Sequence, residues 1–118
     1  MIELSHKEPY ALERMGAILK SEFKFKNKII NNRAVFQPMG GCDSAEDGTP
    51  SELTVAKYMN AARSGVGIIW FEACAVCPEG RSNAHQLMIT EENVPLFAKL
   101  AREIKDTCRD ANGYEPIV

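Results

Sequence analysis

Apolar and polar positions along the chain switch repeatedly between a helical and a strand-like rhythm. From Pro9 to Leu19, Tyr10, Leu12, Met15, Ile18 and Leu19 recur at mostly helical spacing, and Pro9 suits a first turn, where its missing N–H costs nothing. A short docking helix is expected there, weakened by Gly16. Phe23-Lys24-Phe25-Lys26 alternates with period two, and Ile29-Ile30-Asn31-Asn32 follows after Asn27-Lys28, which predicts a small β-hairpin turning at Asn27-Lys28. Ala34-Val35-Phe36 reads as a short strand ended by Gln37-Pro38, because proline removes a ladder donor. Met39 to Gly48 is a long loop rich in Gly, Asp and Ser. Thr49-Pro50-Ser51-Glu52 then spells a capping box, with Thr49 as cap and Glu52 at the third position. The helix it opens carries Val55, Ala56, Met59 and Ala62 as its apolar stripe and stops at Ser64-Gly65.

Val66-Gly67-Ile68-Ile69-Trp70-Phe71 is apolar without alternation, which predicts a strand buried on both faces, as in parallel sheets. After a loop from Cys77 to Thr90, a second helix presents Val94, Phe97, Leu100, Ala101, Ile104 and Cys108 on one face and Lys99, Arg102, Glu103 and Asp106 on the other. Pro95 fits its first turn and Asn112-Gly113 its end. Glu115-Pro116-Ile117-Val118 opens a third strand. The order hairpin, β, α, β, α and the start of β defines an α/β protein with a parallel sheet. The pattern runs out part-way through a third unit, so the edges of Val66–Phe71 call for a cover from elsewhere.

Composition narrows the function classes. The chain has 118 residues, 45% hydrophobic and 25% charged, which is ordinary for a globular protein and excludes a disordered tail. With 14 Lys+Arg against 16 Asp+Glu the net charge is −2, so no basic footprint invites nucleic acid or anionic lipid. No apolar run has the ~20 residues of a membrane helix, and the first residues lack a signal-peptide layout, so a cytoplasmic protein is expected. Cys42, Cys74, Cys77 and Cys108 are even in number, but the chain has apolar segments enough for a core without disulfide staples. Cys74 and Cys77 form a Cys-x-x-Cys pair followed by Pro78-Glu79-Gly80, a turn rather than the helix start that would activate a thiol, and no second pair completes a zinc site. Reduced, structural thiols are the expectation.

In parallel α/β folds the functional groups lie just past the carboxyl ends of the strands. Those positions here are Pro38-Met39-Gly40-Gly41 and Glu72-Ala73-Cys74-Ala75, both stretches of mostly small residues that let a backbone approach a flat ring. Gly40-Gly41 alone is no dinucleotide fingerprint. Glu72 ends a buried strand and must be paired, as a structural partner of a nearby Arg or backbone amide or as a general base; Arg33 is one candidate partner. Arg81 and His85 sit in the second long loop, where they could be shown to a ligand or simply lie on the surface. No Ser/His/Asp set or carboxylate pair stands out.

Several ordered motifs take the reading further. Asn32-Arg33-Ala34-Val35-Phe36-Gln37-Pro38-Met39-Gly40, then Glu46-Asp47-Gly48-Thr49-Pro50, Gly65-Val66-Gly67-Ile68-Ile69, Glu72-Ala73-Cys74-Ala75-Val76 and Pro78-Glu79-Gly80-Arg81 resemble the start of Old Yellow Enzyme-like flavin oxidoreductases. The likeness is greatest to the branch with 2,4-dienoyl-CoA reductases and bacterial NADH:flavin oxidoreductases. It covers residues 23 to 118, leaving 1–22 as an N-terminal helical extension. The resemblance implies the N-terminal part of a (β/α)₈ TIM barrel with a leading β-hairpin: two βα units and the start of a third strand, under half of the ~250 residues such a barrel needs.

It also implies FMN as cofactor and NAD(P)H as reductant, with hydride passing through the flavin to an activated alkene. Pro38, Met39 and Gly40 match the segment lying along the isoalloxazine, and Ala73 matches the small residue whose backbone meets the flavin N5/O4 edge. Gly40 stands where other relatives place Cys or Thr to tune the flavin. The family's substrate-binding pair, proton-donating Tyr, flavin-binding Gln and phosphate loop match nothing in this chain, so no catalytic residue is assigned. Two readings follow: the N-terminal segment of an ene-reductase-type enzyme, inactive alone and completed by the rest of a barrel or another copy, or a non-catalytic partial-barrel module that self-associates or binds a partner chain.

Overall fold

A computed structural model describes residues 9–118, with only the backbone for residues 9–11. Residues 1–8 of the expected N-terminal extension lie outside the described residues. Helix α1 spans Pro9–Lys20, and its Leu12, Met15, Ile18 and Leu19 are exposed. Strands β1 (Phe23–Phe25) and β2 (Lys28–Ile30) pair antiparallel, with Phe25 opposite Lys28 and Phe23 opposite Ile30. The hairpin thus turns on Lys26-Asn27, one residue earlier than the alternation suggested. Lys26 takes the left-handed backbone this turn demands, at φ 54°. Burial fixes that register. Ile30 is buried against the backbone of Gly67, where a Cβ would come within 2.7 Å of Ile30 Cγ2.

Strand β3 (Val35–Phe36) pairs in parallel with β4 (Ile68–Ile69), Val35 opposite Ile68 and Phe36 opposite Ile69. Ile117 adds a third parallel position beside Ile68, through Ile69 N–H to Ile117 O (2.8 Å) and Ile117 N–H to Gly67 O (3.0 Å). Asn32 laces the amino ends of these strands together. Its Nδ2 donates to Gly65 O (2.6 Å) and the Tyr114 hydroxyl (2.9 Å), and its Oδ1 accepts from Ala34 N–H (3.0 Å) and Gly67 N–H (2.8 Å).

Helices α2 (Glu52–Arg63) and α3 (Val94–Asn112) pack on one face of this sheet. The cap of α2 is Ser51, not Thr49: Ser51 Oγ accepts from the N–H groups of Leu53 (3.1 Å) and Thr54 (3.3 Å), and Thr54 Oγ1 accepts from Ser51 N–H (3.3 Å). Thr49 is drawn off by Asp47, whose carboxylate accepts from both its N–H and its hydroxyl. Gly113, at φ 81°, ends α3 as expected. The core comprises Tyr58, Ala61, Ala62, Ile69, Leu100, Ile104 and Cys108, with Phe36, Phe71 and Met59 against it. The buried face of α2 is Thr54, Tyr58, Ala61 and Ala62, rotated from the expected stripe and leaving Ala56 exposed. Tyr58 sets that rotation by stacking on Phe71, with ring centroids 4.3 Å apart and planes 6° apart.

The expectation that Val66–Phe71 is buried on both faces holds for one face only. Ile69 and Phe71 pack toward the helices, whereas Trp70 is 62% exposed. Val35, Ile68 and Trp70 share the opposite face by strand alternation. Among the described residues no element covers that face. The open shape agrees: the radius of gyration is 17.8 Å, against about 13.5 Å for a compact chain of this length.

Candidate functional site

The carboxyl ends of β3 and β4 adjoin because the strands are parallel and in register, and Trp70 N–H extends the ladder to Phe36 O at 3.0 Å. Pro38, Met39 and Gly40 follow β3 directly, all exposed, Met39 at 78%. Ala73, past the end of β4, is exposed as well. One bond ties these two segments: Gly41 N–H donates to Glu72 Oε2 at 2.5 Å. The immediate neighbours of Gly40 and Ala73 are therefore in contact.

Glu72 is 4% exposed and fully engaged. Besides Gly41, its carboxylate accepts from Lys57 Nζ (2.5 Å) and the Tyr58 hydroxyl (3.0 Å), and its own N–H donates to that hydroxyl (3.0 Å). Lys57 also pairs with Asp43 Oδ2 at 2.9 Å. Burial opposes the Lys57 charge, yet the hydrogen bonds it donates to Asp43 and Glu72 hold its pKa above the ordinary lysine value. Burial, with the Glu72 charge adding to it, drives the Tyr58 hydroxyl far above its ordinary range. Both groups keep their protons at neutral pH. Glu72 thus has a structural partner, as expected, but the partner is Lys57 and not Arg33. Arg33 turns away to donate to Ser21 Oγ (2.9 Å) and lies over the Phe23 ring. Lys57 and Asp43 escaped sequence reasoning; the signal available was the Lys57-Tyr58 pair in the second turn of α2.

The two glycines after β3 differ. A Cβ at Gly40 would meet nothing within 4 Å, whereas one at Gly41 would fall 2.5 Å from Asp43 Oδ1 and 2.7 Å from Lys57 Nζ. A side chain at Gly41 would have to push aside the paired Asp43 and Lys57 ends, whereas Gly40 leaves open space above the strands. Among the described residues the backbone N–H groups of Gly40 and Ala73 find no hydrogen-bond acceptor, while Ala73 O accepts from Gln86 Nε2 at 3.1 Å. Small, exposed residues with free donors beside open space fit a flat, acceptor-rimmed ring such as a flavin.

Arg81 and His85 join the two long loops to each other. Arg81 donates to the carbonyls of Gln86, Glu46 and Ala84, and His85 Nδ1 lies 3.0 Å from Ser44 O. Ala75 forms an isolated parallel bridge with Met88, tying the segment after β4 to that loop. Cys42 and Cys77 are exposed and Cys108 is buried. Burial, reinforced by the Glu72 charge, pushes the Cys74 thiol up to about 11, the opposite of an activated redox cysteine. Among the described residues, no three of His, Cys, Asp and Glu cluster as metal ligands, and no helix is long and apolar enough to cross a membrane.

The parallel β3–β4 pair, extended by the Ile117 bridge, thus sets two small-residue segments side by side at its carboxyl edge, where α/β folds place their ligands. The sequence profile of the NADH:flavin oxidoreductase / NADH oxidase family matches residues 21–109. The chain is 35% identical over 94 residues to the NADPH dehydrogenase of Bacillus subtilis, covering 78% of this chain and 28% of that protein. It is 37% identical over 88 residues to the NADH oxidase of Thermoanaerobacter brockii, covering 73% and 14%. The chain thus spans between about a seventh and somewhat over a quarter of these relatives' length. Its fold matches Old Yellow Enzyme from Pichia (TM-score 0.68, 21% identity, 77% of this chain and 24% of that one). It also matches a 2-naphthoyl-CoA reductase (TM-score 0.71, 19% identity, 77% and 14%). The chain belongs to the NADH:flavin oxidoreductase / NADH oxidase family, the Old Yellow Enzyme-like flavoproteins, whose cofactors are FMN and NAD(P)H.

Proposed function

We propose that this chain forms the flavin-contacting segment of an FMN-dependent NAD(P)H oxidoreductase of the ene-reductase type. In this reading, polypeptide outside these residues, or another copy of the chain, completes a (β/α)₈ barrel around the Val35, Ile68 and Trp70 face. Bound FMN would supply hydride transfer from NAD(P)H to an activated alkene. Pro38, Met39 and Gly40 would lie along the ring, and the free N–H of Ala73 would donate to its polar edge. The observation that carries this reading is the Gly41–Glu72 bond, which brings two exposed small-residue segments together at the carboxyl ends of adjacent parallel strands. The glycine at position 40, where other relatives carry Cys or Thr, supports the 2,4-dienoyl-CoA reductase-like branch. Four unpaired cysteines suit a cytoplasmic setting.

Substrate binding and proton donation fall to residues outside this chain, so the isolated protein binds flavin without catalysing alkene reduction. Titration of the purified chain with FMN tests this. Saturable quenching of flavin fluorescence, with no NAD(P)H-dependent alkene reduction above that of free FMN, is expected. Failure to bind FMN at millimolar concentration would overturn the reading.

A second reading, a non-catalytic module that self-associates, is favoured by the uncovered Trp70 face and the exposed apolar stripe of α1. Sedimentation at micromolar concentration separates the two. A monomer that binds FMN contradicts this second reading, and a flavin-free oligomer supports it.

A further inference from the structure

The network under the small-residue cradle has a feature that the family assignment does not supply. Two acids from two different loops converge on one cation from a helix. Asp43 belongs to the loop after β3, Glu72 to the end of β4, and Lys57 to the second turn of α2. Asp43 is itself anchored to the start of that helix: its backbone carbonyl accepts from the hydroxyls of Ser51 and Thr54, and Thr54 Oγ1 lies 3.2 Å from its Oδ1. Glu72 carries the arrangement across to the cradle by taking the Gly41 N–H. Lys57 is the counter-charge that lets a carboxylate with a 1% exposed side chain stay in place.

We propose that Lys57 is the positioning residue of the small-residue cradle: its ammonium gathers Asp43 and Glu72, Glu72 fixes the Gly41 N–H, and the path of Pro38–Gly40 is thereby set from α2. No hydrogen bond or ion pair joins Lys57 to Gly40 or Ala73; its polar links run to the two acids. Gly41 belongs to the same device, since any side chain there would collide with the Asp43 and Lys57 ends. Removing the ammonium would leave the Glu72 anion buried with neutral donors alone. The carboxylate would then turn toward solvent and release Gly41.

The inference rests on the flavin reading only for its second readout, so the two can fail separately. The first is amide hydrogen exchange at Gly41 in the full chain. In Lys57→Met, exchange at Gly41 should quicken roughly tenfold or more, as expected for losing a hydrogen bond to a charged group, while amides of α3 keep their protection. Lys57→Arg, which retains the charge and can reach both acids, should restore most of it. Leu100→Ala, a core variant, should quicken exchange broadly without singling out Gly41. The second readout is FMN affinity, expected to weaken roughly tenfold in Lys57→Met and to recover in Lys57→Arg. If Lys57→Met does not fold, Lys57→Gln, which also removes the ammonium but keeps a polar end, is measured in the same way. Gly41 exchange unchanged in a folded variant lacking the ammonium, or no recovery with arginine, would overturn the proposal. An unsubstituted chain that protects Gly41 yet binds no FMN would sink the flavin reading and leave Lys57 standing as the positioning residue of the loop.

Discussion

Tyr58 and Glu72 hold each other by two hydrogen bonds: the tyrosine hydroxyl donates to Glu72 Oε1 and accepts from Glu72 N–H, both at 3.0 Å. The same tyrosine ring stacks on Phe71, so one side chain of α2 fixes the backbone and the carboxylate at the end of β4. Tyr58→Phe keeps the ring and removes both bonds. It should cost about 1–3 kcal/mol, because a buried carboxylate and a buried N–H each lose a partner. Urea unfolding followed by circular dichroism checks this.

The two adjacent glycines should respond differently to alanine. Gly40→Ala adds a methyl group to open space and should leave stability unchanged within about 0.5 kcal/mol. Gly41→Ala forces its methyl onto Asp43 and Lys57 ends pinned to each other at 2.9 Å, and should cost about 1–3 kcal/mol. Thermal melts of the two variants side by side decide it.

Alkaline pH should weaken the fold. Burial raises the Cys74 thiol to about 11, burial raises the Tyr58 hydroxyl, and the Asp43 and Glu72 hydrogen bonds, outweighing burial, raise the Lys57 ammonium. In each case the folded chain holds its proton to higher pH than the unfolded chain. The unfolded state therefore sheds protons first, and stability falls as pH rises. The urea midpoint should be flat from pH 7 to about 8 and decline above that, as the unfolded cysteine ionises at about pH 8.5, with tyrosine and lysine adding to the loss near and above about pH 10.

The cysteines should separate by reactivity. At pH 8, Cys42 and Cys77, both exposed, should react quickly with an aromatic disulfide reagent. Cys74, with its pKa pushed to about 11, should lag by orders of magnitude, and buried Cys108 should react only on unfolding. Peptide mass mapping of a timed labelling reaction assigns the sites.

Much of the architecture was legible in the pattern of residues. Pro38 stopped β3, Gly113 ended α3, and the period of Leu100, Ile104 and Cys108 marked the buried face of α3 because these are plain apolar residues. The face of α2 was legible in part: Val55, Met59 and Ala62 meet the core, but its centre is Thr54 and Tyr58, buried through hydroxyl bonds that an apolar count cannot weigh. The hairpin turn shifted by one residue because burial of Ile30 against Gly67, a long-range contact, set the register. Trp70 looked like core from the unbroken apolar run Val66–Phe71, yet it sits on the strand face that no described element covers. Ordered motifs singled out Pro38, Met39, Gly40 and Ala73 as candidates, which the structure places at neighbouring strand ends. The Lys57–Glu72 pair was not legible, because its partners lie 15 residues apart on elements whose packing decides the contact.

Amide hydrogen exchange with and without FMN tests the central claim most directly, since it reports where on the chain a flavin sits. The account predicts slowed exchange at Met39, Gly40, Ala73 and Cys74 on adding FMN, with the β1–β2 hairpin and α3 unchanged. Protection confined to the hairpin or to the outer faces of the helices, or no change anywhere at millimolar FMN, would contradict it.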